Sequence, residues 1–340
     1  MAHPKADQST AKKLCVIYTG GTIGMGMTAQ GLAPVAGKMA DYLARFSDSL
    51  TYTLSLQEYE VLIDSSCILP EHWQTMLNDI VAALRDFDGV VVVHGTDTLA
   101  YTASVLHYAL SGLASLHKPV IVTGAQLPLS APNSDGWGNL SDAFLAACQP
   151  NLNGVFVVFN HLILRGQGVT KINCEHFRGF ETPNWPVVAE LGLSPLALPA
   201  PVFSDNLPFN PKALQADSPV LVCWLTPGFS PSVYGKLLQV SPILGAIIVA
   251  YGNGNAPYSE DLSAGIRQVT ARGGLVVVVT QCAQGAVQMG NYAAGSALSS
   301  AGAVGAGSQT IEAVYAQLCV LLSEGLRGEA LRNAFLAEVI

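Results

Sequence analysis

The chain has 340 residues, a net charge of −8 and only 12% charged residues, while half of its residues are hydrophobic. The acidic balance and the 16 scattered basic residues argue against a nucleic-acid partner, because phosphate binding needs clustered lysine and arginine. No apolar stretch approaches the roughly 18 residues of a membrane span, so we expect no membrane partner either.

The first part of the chain alternates strand and helix patterns. Short β-branched runs, such as the four valines at 90–93, predict strands that are buried on both faces of a parallel sheet. The predicted strands are residues 14–19, 52–56, 90–94, 120–123 and 155–159, and the predicted helices are residues 71–85, 100–110 and 139–147. Helices between strands imply right-handed crossovers and a doubly wound, mostly parallel sheet. Such sheets bind ligands at the carboxyl ends of their strands.

A proline-rich stretch, residues 194–219, then interrupts the pattern. It predicts a larger α/β domain at 1–193, an interdomain linker at 194–219 and a smaller α/β domain at 220–340. In the smaller domain the predicted strands are 220–225, 246–251 and 275–280, and the predicted helices are 259–271, 309–323 and 328–336. The Gly-, Ala- and Ser-rich segment 293–307 is compatible with either tight packing or loose order.

The cysteines and the N-terminal residues bear on the cellular compartment. The seven cysteines lie singly, without a C-x-x-C pair or Cys/His ligand spacing, which predicts reduced thiols and no zinc site. Residues 1–13 are polar and hold no apolar secretory core. We therefore expect a cytoplasmic protein that works without a metal or cofactor.

Two polar motifs follow the strands of the predicted first domain directly. The sequence T-G-G-T-I-G (residues 19–24) places the Thr22 hydroxyl after a double glycine, which permits a sharp turn and close approach to a ligand. The sequence H-G-T-D-T (residues 94–98) puts the hydroxyl of Thr96 beside the carboxylate of Asp97. A turn explains the first motif equally simply, and a cap of the helix near Leu99 explains the second.

Two further motifs are weaker. Asp64, Ser65 and Ser66 form a polar cluster before the helix start at 70–71, where a cap or turn is the default interpretation. Lys171 lies in a predicted loop, where most lysines are merely solvated. Because all four motifs follow strands of one sheet, they can meet in one crevice. A hydroxyl with a nearby lysine or acid to accept its proton suits acyl transfer, so the residues alone indicate a hydroxyl-dependent hydrolase.

Together these motifs resemble the bacterial-type L-asparaginases. T-G-G-T-I-G and H-G-T-D-T stand at that family's separation, and the resemblance extends to V-T-G-A-Q-L-P (122–128), residues 165–171, Y-G-N-G-N-A-P (251–257) and T-Q-C (280–282). The D-S-S sequence at 64–66 and the absence of a leader are more similar to the cytosolic type I branch than to the secreted type II branch.

The resemblance implies hydrolysis of the side-chain amide of L-asparagine through a threonine acyl-enzyme. Thr22 would be the first nucleophile, and Thr96, Lys171 and Asp97 the second catalytic group, with Lys171 as proton acceptor. Ser65 and Asp97 would hold the substrate's α-carboxylate and α-amino groups beside Ser66, with Asp64 and Thr96 also in the binding site.

The resemblance further implies a homo-oligomer, a dimer of dimers, in which Asn255 comes from the neighbouring subunit. The low charge fraction agrees with extensive subunit interfaces. Backbone N–H groups near Thr22 and Thr96 would form the oxyanion hole.

One position departs from the family pattern. The family has a tyrosine in the loop after the first motif, and this chain has Leu32 there. The departure leaves other functions open: an amidohydrolase for glutamine, for a larger asparagine-like compound or for a misacylated tRNA, or a sensor of asparagine or aspartate that has lost turnover. The acidic charge disfavours the tRNA substrate.

Overall fold

The computed structural model of the chain describes residues 11–28, 31–35, 37–49, 51–192, 198, 207–215, 220–289 and 293–339. The chain divides into two compact units, residues 1–211 and residues 212–340. Most of the predicted linker, 194–219, lies outside the described residues, so the domain limits at 193 and 220 stay predictions. Among the described residues, no helix combines the length and the apolar character needed to span a membrane.

In its described residues, the first unit contains short and long strands with four helices between them. Its main strands are β1 (Lys12–Gly20), β4 (Tyr52–Ile63), β5 (Gly89–Val93), β6 (Val120–Thr123), β7 (Val155–Phe159), β8 (Leu162–Arg165) and β11 (Ala189–Glu190). Two small pairs are β2 (Met25–Thr28) with β3 (Gly31–Pro34), and β9 (Thr170–Lys171) with β10 (Phe180–Glu181). The helices are α1 (Lys38–Leu43), α2 (Pro70–Asp86), α3 (Leu99–Ala109) and α4 (Gly136–Ala147).

The main strands form one sheet in the order β11-β8-β7-β6-β5-β1-β4. Strands β4, β1, β5, β6 and β7 run parallel, and every residue of β5, β6 and β7 is buried. Helices α2, α3 and α4 pack on these strands, which explains why their side chains are apolar on both faces. The structure confirms the predicted doubly wound, mostly parallel sheet.

The edge strand β4 is longer than predicted. Polar residues after Leu56 break the apolar alternation, but an edge strand tolerates them because one of its sides faces solvent. The register between β1 and β4 is regular up to Tyr18 opposite Glu58 and then shifts, so that Gly20 lies opposite Ile63. The end of β4 therefore lies beside the end of β1, and the D-S-S motif lies beside the T-G-G-T motif.

The segment after β7 contains one strand that was not predicted and one residue whose prediction was wrong. The chain reverses through Asn160 and His161, both with positive φ, and returns as the antiparallel strand β8. Lys171, predicted to lie in a loop, lies in strand β9, where it pairs with Phe180 of β10. These strands have two to four residues, too few for a recognisable alternation.

The second unit is a smaller doubly wound structure. Its strands are β12 (Val220–Trp224), β13 (Gly245–Ala250), β14 (Leu275–Thr280) and β15 (Val304–Gly305), parallel and in that spatial order. Its helices are α5 (Ser230–Val240), α6 (Glu260–Ala271), α7 (Ala293–Ser300), α8 (Ile311–Ser323) and α9 (Gly328–Ala337). One face of the sheet packs on α5 and α6, and the other on α8 and α9. The segment 293–307 contains α7 and β15, and the burial of Leu298 and Val304 favours its tight-packing interpretation.

Candidate active site

Lys171, Thr96 and Asp97 meet at the carboxyl end of the first unit's sheet. The Lys171 Nζ atom donates hydrogen bonds to Thr96 Oγ1 at 3.0 Å and to Asp97 Oδ1 at 2.8 Å. The lysine side chain is 20% exposed, whereas that of Asp97 is 61% exposed. The fold thus places a hydroxyl, an amine and a carboxylate within hydrogen-bonding distance, with the carboxylate on the solvent side.

The loop that holds Thr96 and Asp97 joins β5 to α3. Thr98, not Thr96 or Asp97, is the N-terminal cap residue of α3, and no side-chain hydrogen bond is made there. The interpretation of Thr96 or Asp97 as a helix cap is therefore wrong. Thr98 instead donates its hydroxyl to the carbonyl oxygen of Ser65 at 2.7 Å, which ties this loop to the end of β4.

Gln126 also contacts Thr96, and it was not among the site residues predicted from sequence. Its Oε1 atom lies 3.4 Å from Thr96 Oγ1, and its Nε2 atom donates to the carbonyl oxygen of Asn173 at 3.1 Å. Gln126 follows β6, the neighbour of β5, so it lies at the same edge of the sheet as Thr96. That position was the available sequence signal, because the carboxyl ends of neighbouring parallel strands lie side by side.

Thr22 begins a 3₁₀ turn, Thr22–Gly24, directly after β1, and is partly buried. The preceding Gly21 has φ 92°, and a Cβ atom on it would lie 2.4 Å from the Cα atom of Gly95. The two backbones therefore touch at the residues just before Thr22 and Thr96. The turn that holds the predicted nucleophile therefore packs against the loop of the second motif.

Ser65 is buried against the same loop. It is 4% exposed, and a Cβ atom on Gly95 would lie 2.5 Å from its Oγ atom. Asp64 caps the 3₁₀ turn Ser65–Cys67, since its Oδ1 accepts from the Ser66 N–H at 3.0 Å and from the Ser66 hydroxyl at 2.9 Å. The turn interpretation of Asp64 is confirmed, and its part in substrate binding stays a prediction.

The comparisons with known proteins agree with this arrangement. Residues 13–197 match the family described as Asparaginase, N-terminal, and residues 219–335 match the Glutaminase/Asparaginase C-terminal domain. The chain belongs to the asparaginase family. It is 40% identical over 329 residues to L-asparaginase 1 of Escherichia coli strain K12, with 95% of each chain covered.

Solved structures of other asparaginases have the same fold. The crystal structure of L-asparaginase I from Vibrio cholerae has a TM-score of 0.84 at 35% identity and covers 96% of this chain and 97% of its own. The thermostable L-asparaginase from Thermococcus kodakarensis has a TM-score of 0.84 at 30% identity, with 95% and 96% covered. The predicted resemblance is therefore confirmed along nearly the whole chain.

Two further asparaginase positions were predicted from sequence. Asn255 belongs to the second unit, where its backbone pairs with Tyr251 and its Nδ2 donates to Asn253 Oδ1 at 3.1 Å. The backbone of Leu32 lies in β3, opposite Met27 of β2, in the hairpin that follows the Thr22 turn. The Leu32 side chain lies outside the described part of the structure.

No metal site accompanies the cluster in the described ranges. Among those residues, no group of three or more His, Cys, Asp or Glu side chains is arranged to hold a metal ion. The chemistry available in the described cluster is that of a hydroxyl, an amine and a carboxylate, with Thr22 on the turn that packs against its loop.

Proposed function

We propose that this asparaginase hydrolyses the side-chain amide of L-asparagine to L-aspartate and ammonia. The decisive observation is the contact of Lys171 Nζ with both Thr96 Oγ1 and Asp97 Oδ1. A lysine bonded to a hydroxyl is placed to accept a proton, and a carboxylate bonded to the lysine fixes its position. The full-length similarity to L-asparaginase 1 of E. coli supports asparagine as the substrate.

The reaction proceeds in two steps. In the first, Thr22 Oγ1 forms a bond to the amide carbon, the bond from that carbon to nitrogen breaks, and ammonia leaves with the proton taken from Thr22. In the second, water adds to the resulting ester, and the bond from Thr22 to the acyl carbon breaks. Lys171 and Thr96 pass the water proton back to Thr22. The products are aspartate and ammonia, and the threonine is regenerated.

The substrate's amino-acid group binds at the ends of β4 and β5. Ser65 and Asp97 hold the α-carboxylate and the α-amino group, with Ser66, Asp64 and Thr96 beside them. The 61% exposure of the Asp97 side chain supports this role, because a carboxylate that also faces solvent is accessible to an incoming ammonium group.

A direct test is ammonia release from asparagine and from glutamine, measured beside a thermal shift with aspartate. We expect ammonia from asparagine in excess over glutamine, and stabilisation by aspartate. Stabilisation without ammonia from either amide would favour the sensor, and a preference for glutamine would reassign the substrate.

The assembly and the compartment are further parts of this proposal. A homo-oligomer, as a dimer of dimers, is supported by an apolar face of α5 that is exposed on the single chain. In that assembly Asn255 of a neighbouring subunit completes the site. The cytoplasmic location stays a prediction from the type I resemblance, which cell fractionation tests.

A further inference from the structure

His94 is a buried side chain at the site to which the proposed mechanism gives no role. It directly precedes Gly95 and is 1% exposed. Its Nδ1 atom lies 2.7 Å from the carbonyl oxygen of Gly95, and its Nε2 atom lies 3.0 Å from Thr102 Oγ1. Thr102, on α3, also accepts a hydrogen bond of 2.8 Å from the indole Nε1–H of Trp73 on α2. These four residues form one buried chain of hydrogen bonds.

The contacts determine which nitrogen of His94 holds the proton. A carbonyl oxygen only accepts, so the contact with Gly95 requires an Nδ1–H donor. Burial lowers the pKa of His94 to about 4, so the ring is neutral near pH 7 and Nε2 is an acceptor. An indole N–H only donates, so the Thr102 hydroxyl accepts from Trp73 and gives its own proton to Nε2. Every hydrogen bond then points the same way, toward Gly95.

Gly95 is the residue against which the other site segments pack. A Cβ atom on Gly95 would lie 2.5 Å from Ser65 Oγ, and a Cβ atom on Gly21 would lie 2.4 Å from the Gly95 Cα atom. Any rotation of the peptide after Gly95 would therefore disturb the approach of the Thr22 turn and of Ser65. The hydrogen bond from His94 fixes that peptide.

The same hydrogen bond fixes the direction of a backbone donor. A trans peptide is planar, so the Gly95 C=O and the Thr96 N–H point in opposite directions. With the carbonyl turned toward the buried imidazole, the N–H of Thr96 points away from it. Within the part of the chain that the structure describes, this N–H has no hydrogen-bond partner.

We propose that His94 is a positioning residue that aims the Thr96 backbone N–H at the substrate's amide oxygen, where it donates to the developing oxyanion. The proposal deepens the hydrolytic function above and rests on it. Such a donor acts only as negative charge forms on the oxygen, so its loss lowers kcat more than it weakens substrate binding.

Two substitutions at His94 separate this role from simple packing. In His94→Asn the amide nitrogen takes the place of Nδ1 and still donates to Gly95. In His94→Gln the amide takes the place of Nε2, so the contact with Thr102 is kept and the donor to Gly95 is lost. We expect His94→Asn to keep most of kcat. We expect His94→Gln to lose about two orders of magnitude in kcat, the effect typical of one oxyanion donor, with little change in KM.

Packing alone predicts the opposite order. Asparagine is smaller than histidine and leaves the larger cavity, so His94→Asn should have the lower melting temperature of the two. His94→Asn should be less stable but more active than His94→Gln only if the hydrogen-bond donor at the Nδ1 position is needed. Equal kcat values, a more active His94→Gln, or losses confined to KM would overturn the proposal.

A second pair of variants tests the hydrogen-bond chain at Thr102, farther from the site. Thr102→Val removes the hydroxyl that gives its proton to Nε2. Thr123→Val is the matched control, since Thr123 is equally buried and donates to the carbonyl oxygen of Val158 at 2.7 Å. We expect kcat to fall several-fold in Thr102→Val and to stay at the wild-type value in Thr123→Val. Equal losses of kcat in the two variants would contradict the role proposed for this hydrogen-bond chain.

The protonation state of His94 can be measured without any functional assumption. NMR of wild-type protein labelled with ¹⁵N in its imidazole rings should show His94 as the neutral Nδ1–H tautomer at pH 7. The Nε2–H tautomer would overturn the proposal even if no variant folds. Absence of ammonia release by the wild type would instead overturn the hydrolytic function and leave the tautomer result standing.

Discussion

Two threonine hydroxyls are the residues on which the proposed chemistry depends most directly. We expect Thr22→Ala and Thr96→Ala each to lower kcat by orders of magnitude, because one loses the nucleophile and the other the hydroxyl bonded to Lys171. Groups that act as a unit are non-additive, so the double variant should be little worse than either single one. Ammonia release and thermal melting measure activity and folding. Thr75→Ala, exposed on α2, is the control, and near wild-type release by Thr22→Ala would refute the assignment.

Leu32 provides a second test of a single residue, at the position where the family has a tyrosine. Leucine has no ionisable group, and a positioned acid–base group typically contributes about 10²–10⁴-fold to the rate. We therefore expect Leu32→Tyr to raise kcat on asparagine at least several-fold, with a smaller change in KM. Leu32→Phe supplies the ring without the hydroxyl and should not raise kcat. A neutral or harmful Leu32→Tyr would show that another group activates Thr22.

The sequence revealed the site's residues unevenly. Thr22, Thr96 and Asp97 could be found because each lies in a polar motif directly after a buried strand. Lys171 needed the family resemblance, because nothing in its local pattern separates it from a solvated lysine. The partners of His94 gave no signal at all, since Trp73 and Thr102 occupy inward helix positions that any large or small side chain could fill. Hydrogen bonds between separate helices become visible only in three dimensions.

At the scale of elements, the site depends on the contact between the turn after β1 and the loop after β5. A Cβ atom on Gly21 would lie 2.4 Å from Gly95, so Gly21→Ala must push the two segments apart. We expect a loss of about a hundredfold in kcat, as for other displacements near 1 Å in active sites. Ammonia release measures the loss of kcat, and urea unfolding measures any loss of stability in the same variant.

Gly37→Ala separates this displacement from backbone strain. Gly37 also has positive φ, at 81°, but nothing lies within 4 Å of a Cβ atom there. It should lose only about 1 kcal/mol of unfolding free energy, the cost of a left-handed conformation for an L-residue, and keep its kcat. Equal kcat losses in both glycine variants would show that strain, not the spacing of the two segments, is responsible.

The elements themselves were predictable where burial made the pattern simple. Strands β5, β6, β7 and β14 are apolar on both faces, and their limits agree with the predicted ones to within a residue. The predicted strand β4 ended too early, because β4 lies at the edge of the sheet. Helix α5 was missed because its exposed side is also apolar, which removes the contrast between faces that marks an amphipathic helix.

Two histidines, the buried His94 and the partly buried His107, make the stability of the whole molecule depend on pH. Burial lowers the pKa of both His94 and His107 from 6.5 to about 4. Between these values the unfolded chain binds more protons than the folded one, so the free energy of unfolding falls as the pH falls from 6.5 toward 4. Each histidine contributes up to about 3 kcal/mol to this change. Urea unfolding at several pH values measures it. His107→Gln should flatten the dependence, and an unchanged curve would contradict the assignment.

Assembly is the property of the whole molecule that the single chain indicates most directly. Phe229, Val233, Leu237 and Val240 lie on one side of α5 and are exposed, Phe229 by 83% and Val240 by 82%. Their spacing of three and four residues makes them neighbours on the helix surface. An exposed apolar stripe of this kind, here bordered by Lys236, is typical of a subunit interface. With its charge fraction of 12%, we therefore expect the protein to be at least a dimer in solution.

Val233→Lys tests this interface, because a buried, unpaired ammonium group would oppose association. Sedimentation should show a larger assembly for the wild type and a shift toward the 35.6 kDa chain for the variant. If Asn255 of a neighbour completes the site, kcat should fall in parallel and recover at higher protein concentration. Val61→Lys is the matched control, since Val61 is 82% exposed on β4 and distant in sequence from α5; it should change neither property. A fully active 35.6 kDa wild-type monomer at micromolar concentration would refute both the interface and the shared site.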